Sequence, residues 1–266
     1  MKKLWRNLGI KALPVLGGRV VCKMWIGAFL HLFSIIKERS LYPIDRFMAD
    51  GTIYSIHNRF GIFKIDPLTI DQKIPEVSRC FSHIRELYIK NCYLKFHQID
   101  EGQLDTVVDL GANRGMASVM FVPVAKRIIA IEALPQYVES IQYLVQQLNG
   151  YNNLQIGTYF VGKEDKLLDD GQQIVRFSTM MKNFEIEQID FLKIDIEGSE
   201  FEIVDDIPWS GVKYVSMEIH HEIGSAETIV QKLKDHQFDV IMATNDLVRT
   251  HDFRNADYLF ARNTTL

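Results

Sequence analysis

Asp195, Glu197, Glu218 and His220 are the residues whose types and spacing best suit chemistry, because they cluster at the ends of two short apolar runs, 191–197 and 214–219. Along the first run, alternation puts Lys193, Asp195 and Glu197 on one side of a strand, where charge is costly unless paired. Lys193, deeper in the run, reads as the structural partner that neutralises an acid. Asp195 and Glu197 lie at the carboxyl end, where ligands bind in open α/β sheets, and so read as functional. Glu218 and His220 share a face of the second run, while His221 points the other way. Two chemistries follow. An imidazole with an ordinary pKa near ~6.5 is a natural proton acceptor for a hydroxyl under attack. Alternatively, Asp195, Glu218 and His220 hold a divalent metal that acidifies the hydroxyl, a reading ranked below the base because such triples arise often by chance. A histidine pair is also an ordinary way to end a strand.

A second constellation precedes these. Asp-Leu-Gly-Ala-Asn-Arg-Gly at 109–115 follows the β-branched residues 106–108 and precedes a helical pattern over 114–123, which reads as strand, tight turn and helix. Gly111 and Gly115 allow positive φ and a close approach of a ligand to the backbone. Residues 127–133 form a second buried strand ending in Glu132, 23 residues after Asp109, and Pro135 opens a helix. That is the spacing at which a doubly wound sheet places a carboxylate on ribose hydroxyls. The turn lacks the middle glycine of a dinucleotide fingerprint, having Asn113 there. It suits S-adenosylmethionine better, a cofactor without a pyrophosphate and with an amino-acid end that needs polar partners.

The elements that must position these groups alternate in type. Strands are expected at 154–161, 174–177, 240–243 and 258–262, and helices at 135–148, 178–184 and 225–236, the last capped by Ser225 with Glu227 in its first turn. Residues 162–171 and 244–255 read as loops. The succession from 105 onward fits a doubly wound α/β domain.

The first hundred residues differ in character. Residues 13–37 are largely apolar, and on a helix Arg19, Lys23, Gly27, His31 and Ser34 form one narrow polar stripe. The longest uncharged stretch, 24–36, is too short to span a bilayer, and no secretory cleavage site follows it. Such a helix must be covered. Packing on the domain or across a homodimer is preferred to insertion of residues 1–40 into a membrane surface through Trp5, Trp25 and the basic cluster. Residues 52–56 and 61–65 read as a hairpin, and 75–97 as mostly helical. This region is expected to cover the sheet or lid the cleft. His57, His83 and His97 read as surface or packed residues. The polar residues 100–105 divide an extension, 1–100, from a catalytic domain, 101–266.

The whole chain has 266 residues, 47% hydrophobic and 24% charged, with a net charge of -4 that gives no support for nucleic-acid binding. Cys22, Cys80 and Cys92 are scattered and odd in number, which suggests neither a disulfide framework nor a zinc site and fits a cytoplasmic setting.

The motif at 109–115, Ile-Glu-Ala at 131–133 and Asp-Phe-Leu-Lys-Ile-Asp-Ile-Glu-Gly-Ser-Glu at 190–200 together resemble the FkbM-type S-adenosylmethionine-dependent methyltransferases over residues 105–262. The resemblance implies a class I, Rossmann-like methyltransferase fold of seven strands with the last antiparallel, and O-methylation of a hydroxyl on a sugar, glycan or glycosylated metabolite. It also implies a loose approach of Gly162 and Lys163 to adenine, although a solvated loop is preferred there. Asp109, Gly111, Ala112, Asn113 and Gly115 are then expected to shape the methionine end of the cofactor pocket, with Glu132 and Ala133 at the ribose. Asp195, Glu197 and His220 face the acceptor, His220 as base, and Asp195 is open to cofactor as well as acceptor. The rivals are a nicotinamide oxidoreductase and a binding module without turnover. The setting expected is cytoplasmic, with peripheral contact at the inner membrane face as the variant.

Overall fold

The computed structural model describes residues 9–74, 80–99, 104–147 and 152–266. They divide into two compact units, Met1–Cys92 with Glu139–Asn149, and Tyr93–Val138 with Gly150–Leu266. The first unit contains helices α1 (Ala12–Leu30), α2 (Leu32–Glu38) and α3 (Tyr42–Met48), and a hairpin of β1 (Tyr54–Asn58) and β2 (Gly61–Ile65). Helix α4 (Pro67–Lys73) follows, and α5 (Cys80–His83) runs into a π-helical stretch, Ile84–Lys90. The hairpin is antiparallel with Asn58 opposite Gly61, so its first strand starts two residues later than expected. Asp66 caps α4 by accepting from the Leu68 N–H at 3.1 Å, with Pro67 in the first turn where its missing N–H costs nothing. Of the stretch expected to be helical, residues 75–79 lie outside the described residues, as do 100–103 of the expected junction.

The second unit is built on strands β3 (Leu104–Leu110), β4 (Ala125–Ile131), β5 (Leu154–Gly157), β9 (Ile189–Ile194), β10 (Val212–Glu218), β11 (Phe238–Ala243), β12 (Arg249–Thr250) and β13 (Tyr258–Asn263). Among the described residues these form one eight-stranded sheet in the order β12-β11-β13-β10-β9-β3-β4-β5. The strands from β5 to β10 are parallel, and β13 inserts antiparallel between β10 and β11. The reversal of order at β3 puts a crevice between the carboxyl ends of β3 and β9, where chains leave in opposite directions. This is the class I methyltransferase architecture, with one strand more than the expected seven because β12 adds to the edge at Met242 and Ala243.

The core is continuous through the middle strands. Val108, Leu110, Leu192, Ile194, Val215 and Met217 are fully buried on neighbouring strands, as both-face burial of a parallel sheet requires. Helices α6 (Met116–Met120), α7 (Pro135–Gln147), α8 (Phe177–Asn183), α9 (Glu200–Ile203) and α10 (Ala226–Asp235) connect the strands. Ser225 caps α10 through the Glu227 N–H at 3.2 Å, as its position predicts.

Three expectations are corrected. The strand expected over 154–161 stops at Gly157: the Tyr159 ring lies where a Cβ would stand, 2.9 Å away, and the chain turns out of the sheet. Residues β6 (Phe160–Gly162), β7 (Lys166–Leu167) and β8 (Gln173–Arg176) then form a separate small sheet, so part of the expected loop 162–171 is strand. The helix after the glycine turn, expected over 114–123, is only five residues long.

Candidate active site

The turn after β3 is set by three residues at positive φ, Gly111 (71°), Asn113 (50°) and Gly115 (79°). Gly111 is required for a reason other than ligand access. A Cβ there would stand 1.7 Å from the backbone oxygen of Asp195, so the close approach is between the ends of β3 and β9. Asn113 holds its left-handed backbone partly through its own Oδ1, which accepts from the Arg114 N–H at 2.8 Å. Ala112 and Gly115 are buried in this turn, and Ala133 is half-buried after β4.

Glu132 closes the turn from β4. Its carboxylate accepts from the N–H of Asn113 at 2.7 Å and of Leu134 at 2.9 Å. Burial outweighs those two bonds and pushes the Glu132 carboxyl above its ordinary value. Asp109, expected to face the cofactor, is instead 1% exposed, with Ser118 Oγ at 2.5 Å and Lys193 Nζ at 3.1 Å. Its Oδ2 accepts from Ser118 and its Oδ1 faces the Lys193 ammonium, so it supports the turn from within the protein.

Lys193 is the hub of this layer. Its ammonium donates to the carbonyls of Leu110 at 3.2 Å and Gly111 at 2.5 Å, and lies 3.5 Å from Asp195. Burial works against that charge, but Asp109 and then Asp195 outweigh it and hold the ammonium above its ordinary value. The structural role expected for Lys193 is what the geometry gives.

The end of β9 departs from simple alternation. The strand stops at Ile194, Asp195 follows it, and Glu197 turns to φ 54° before Gly198 at φ 105°. Glu197 is therefore placed by a turn and points into solvent, 89% exposed. Asp195 is one-quarter exposed and accepts from the Tyr93 hydroxyl at 2.7 Å, which also lies 3.4 Å from Glu218.

His220 follows the end of β10 and meets this turn. Its Nε2 is 3.3 Å from Glu197, and its Nδ1 is 2.8 Å from Glu200. Glu200 is fully buried and also accepts from the N–H of His220 at 3.0 Å and of Gly198 at 2.8 Å. The carboxylate thus ties two strand ends together and puts the proton on Nδ1, leaving Nε2 towards Glu197 and Asp195. The Glu200 bond, with the nearby charges of Glu200, Asp195 and Glu197, pushes the imidazole up to about 9 against the effect of burial.

The structure brings Asp195, Glu197 and His220 together, with ligand atoms that all lie within 4.8 Å of one another. Glu218, expected beside His220, stands outside that group and meets the Tyr93 hydroxyl at 3.4 Å. Three residues escaped sequence reasoning. Glu200 lay in plain sight in the motif at 190–200, but its partner stands 20 residues on, beyond any local pattern. Tyr93 precedes the sheet and carries no motif. Arg114, fully buried within the glycine turn and 5.4 Å from the Tyr137 ring centre, was readable only as a helix start. His97 is packed as expected, its Nε2 2.8 Å from Ser216 Oγ with Phe191 and Tyr214 against its ring.

Residues 169–240 match the methyltransferase FkbM domain family. The chain is 25% identical over 217 residues to the 31-O-demethyl-FK506 methyltransferase FkbM of Streptomyces tacrolimicus, covering 61% of this chain and 83% of that protein. Among solved structures, it is similar to the methyltransferase FkbM from Methylobacillus flagellatus KT, with a TM-score of 0.47 and 14% identity over 73% of this chain and 57% of that one. The O-methyltransferase from Bacillus cereus in complex with SAH is a second, with a TM-score of 0.40 and 10% identity over 60% of this chain and 74% of that one.

Proposed function

Because residues 169–240 match the methyltransferase FkbM domain family and the chain is similar to an FkbM methyltransferase over 217 residues, we propose that it transfers a methyl group from S-adenosylmethionine to a hydroxyl of a sugar, glycan or glycosylated metabolite. The name of the Streptomyces tacrolimicus relative, an enzyme for an O-demethyl compound, supports oxygen as the acceptor atom. The residues present suit the donor. The polar turn of Gly111, Ala112, Asn113 and Gly115, held in shape by Asp109, fits an amino-acid end, while Glu132 and Ala133 fit the ribose. Bound there, the cofactor supplies a methyl group on a sulfonium, an electrophile that needs no acid to activate it.

What remains for the protein is alignment and removal of the hydroxyl proton. The observation that carries this reading is the Glu200–His220 pair. Buried Glu200 fixes the tautomer, and Nε2 is the nitrogen left to take the proton. Asp195 and Glu197 flank that nitrogen and orient the acceptor. The same bond that aims the imidazole strengthens it as a base and lowers its neutral fraction at pH 7, so transfer is expected to rise with pH until about 9.

A divalent ion is the second reading, favoured by the 4.8 Å grouping of Asp195, Glu197 and His220. Those three residues would hold it, and it would acidify the acceptor hydroxyl. Transfer that survives exhaustive chelation supports the base; transfer that chelation abolishes and a divalent ion restores supports the metal.

The test of the main reading is calorimetric titration with S-adenosylhomocysteine and with NADH, using Glu132→Ala as control. Micromolar binding of the former, lost in the variant, is expected. His220→Asn should keep that binding and lose about 10²–10⁴-fold in transfer to a sugar acceptor. Preference for NADH, or no binding of S-adenosylhomocysteine, overturns the assignment.

A further inference from the structure

A helix on a water-soluble body turns its apolar side inward. Helix α1 buries Leu16, Val21, Met24 and Ala28 in this way, but part of its polar stripe faces inward beside them. Lys23 points into its own unit, with Nζ 2.6 Å from Asp50, 3.1 Å from Thr52 Oγ1 and 3.0 Å from the Tyr54 hydroxyl. Gly27 lies against the Phe47 ring so closely that a Cβ would be 2.5 Å from it, and the His31 ring is 5.8 Å from Phe47. With Lys23, Gly27 and His31 facing in, much of the apolar circumference faces out.

The outward residues form a continuous stripe. Ile26, Phe29, Leu30, Leu32, Phe33 and Ile36 are all exposed, Phe29 to 78% and Phe33 to 81%. They recur at helical spacing through the end of α1 and into α2. Isolated exposed apolar residues are unremarkable, but a contiguous stripe of this kind marks a surface that meets something else.

Charge identifies the occupant. Residues 1–37 carry seven Lys and Arg (2, 3, 6, 11, 19, 23 and 37) and no Asp or Glu, in a chain whose net charge is -4. Of these, Lys37 and Arg19 are exposed beside the apolar stripe. The nearest acids, Glu38 and Asp50, are paired with Arg46 and Lys23, so an apolar face bordered by Arg19 and Lys37 is complementary to a bilayer surface carrying anionic headgroups. A second copy of this segment would bring like charge against like charge. Helix α1 has the length and composition to cross a membrane. However, the uncharged stretch 24–36 reaches only roughly 20 Å against a hydrocarbon core of about 30 Å. Lys23 is also committed to Asp50.

We infer that the outward face of α1 and α2 seats in the plane of an anionic membrane surface, with Phe29 and Phe33 as its apolar anchors. The test is flotation of the full chain with vesicles of phosphatidylcholine alone and of phosphatidylcholine with phosphatidylglycerol. Light scattering and circular dichroism are run on the same preparations. The intact chain should float with the anionic vesicles and not with the neutral ones. Phe29→Ser with Phe33→Ser should weaken that binding by at least about tenfold while the fold and thermal midpoint stay unchanged. Three results overturn the inference: no flotation of the intact chain with anionic vesicles, equal flotation of the double variant, or a stable dimer that the double variant converts to monomer.

Discussion

Each unit of the molecule buries an acid against a cation, and the two pairs end differently. In the amino-terminal unit Asp45 is fully buried, and Arg85 meets both its oxygens through Nε and Nη2 at 2.7 and 2.6 Å. Burial still wins over that partner and pushes the Asp45 carboxyl up. The pair is closed on itself. In the sheet unit Lys193 meets Asp109 but continues to two backbone carbonyls and to Asp195, which opens onto the crevice. A closed pair fixes a fold, whereas an open chain of charges also fixes the geometry of groups left facing outward. The same contrast separates the two surfaces: the sheet unit keeps charges inside to shape a crevice, and the amino-terminal unit keeps apolar side chains outside.

The largest effects should come from breaking the two pairs separately. Lys193→Met and Arg85→Met each leave a buried carboxylate without its cation and should each cost about 3–5 kcal/mol in urea unfolding. Only the former should also abolish S-adenosylhomocysteine binding in whatever folded protein remains, because only its pair holds the Gly111 turn. Equal loss of binding in both variants would erase the distinction between closed and open pairs. Next in size is Glu200→Gln, which turns an amide N–H₂ towards donors at Gly198 or His220. A loss of about 1–3 kcal/mol is expected, with a pH–rate profile displaced to lower pH as the imidazole loses its carboxylate.

The pH dependence of stability sharpens the same point. His220 titrates near ~6.5 when unfolded and is held at about 9 when folded. Its contribution is therefore complete below ~6.5 and is lost as pH rises through 9. Thermal midpoints measured across that window should fall in the intact chain and fall less in Glu200→Gln. The smallest effect belongs to the amino-terminal unit. Lys23→Met removes a half-exposed pair with Asp50 and should cost under about 1 kcal/mol. A much larger loss would mean that Lys23 holds α1 in place more firmly than its exposure suggests.

How much of this was legible in the sequence follows from the range of each signal. The Asp109–Gly115 turn, Glu132 and Pro135 are local patterns at fixed spacing, and the structure has the strands and turns they call for. The β9 end was half legible: alternation put Lys193, Asp195 and Glu197 on one side, yet the ladder stops at Ile194 and Glu197 turns to positive φ. Hydrophobic period cannot report where a partner strand runs out. The polar stripe on α1 was legible, but not its direction, because what draws Lys23 inward is Asp50 and Tyr54, 27 and 31 residues away beyond helices α2 and α3. The roles of Glu200 and Tyr93 depend on contacts between strand ends and were beyond reach for the same reason.

The bond between Glu200 and His220 has a spectroscopic consequence. A proton on Nδ1 that faces a fully buried carboxylate is sheltered from exchange with water. Such a proton resonates far downfield of the amide envelope, and its shift follows the charge of the ring. The molecule therefore carries its own reporter of the state of its imidazole, readable in the resting protein before any acceptor is known. A substrate that engages Nε2 would announce itself as a displacement of that single line.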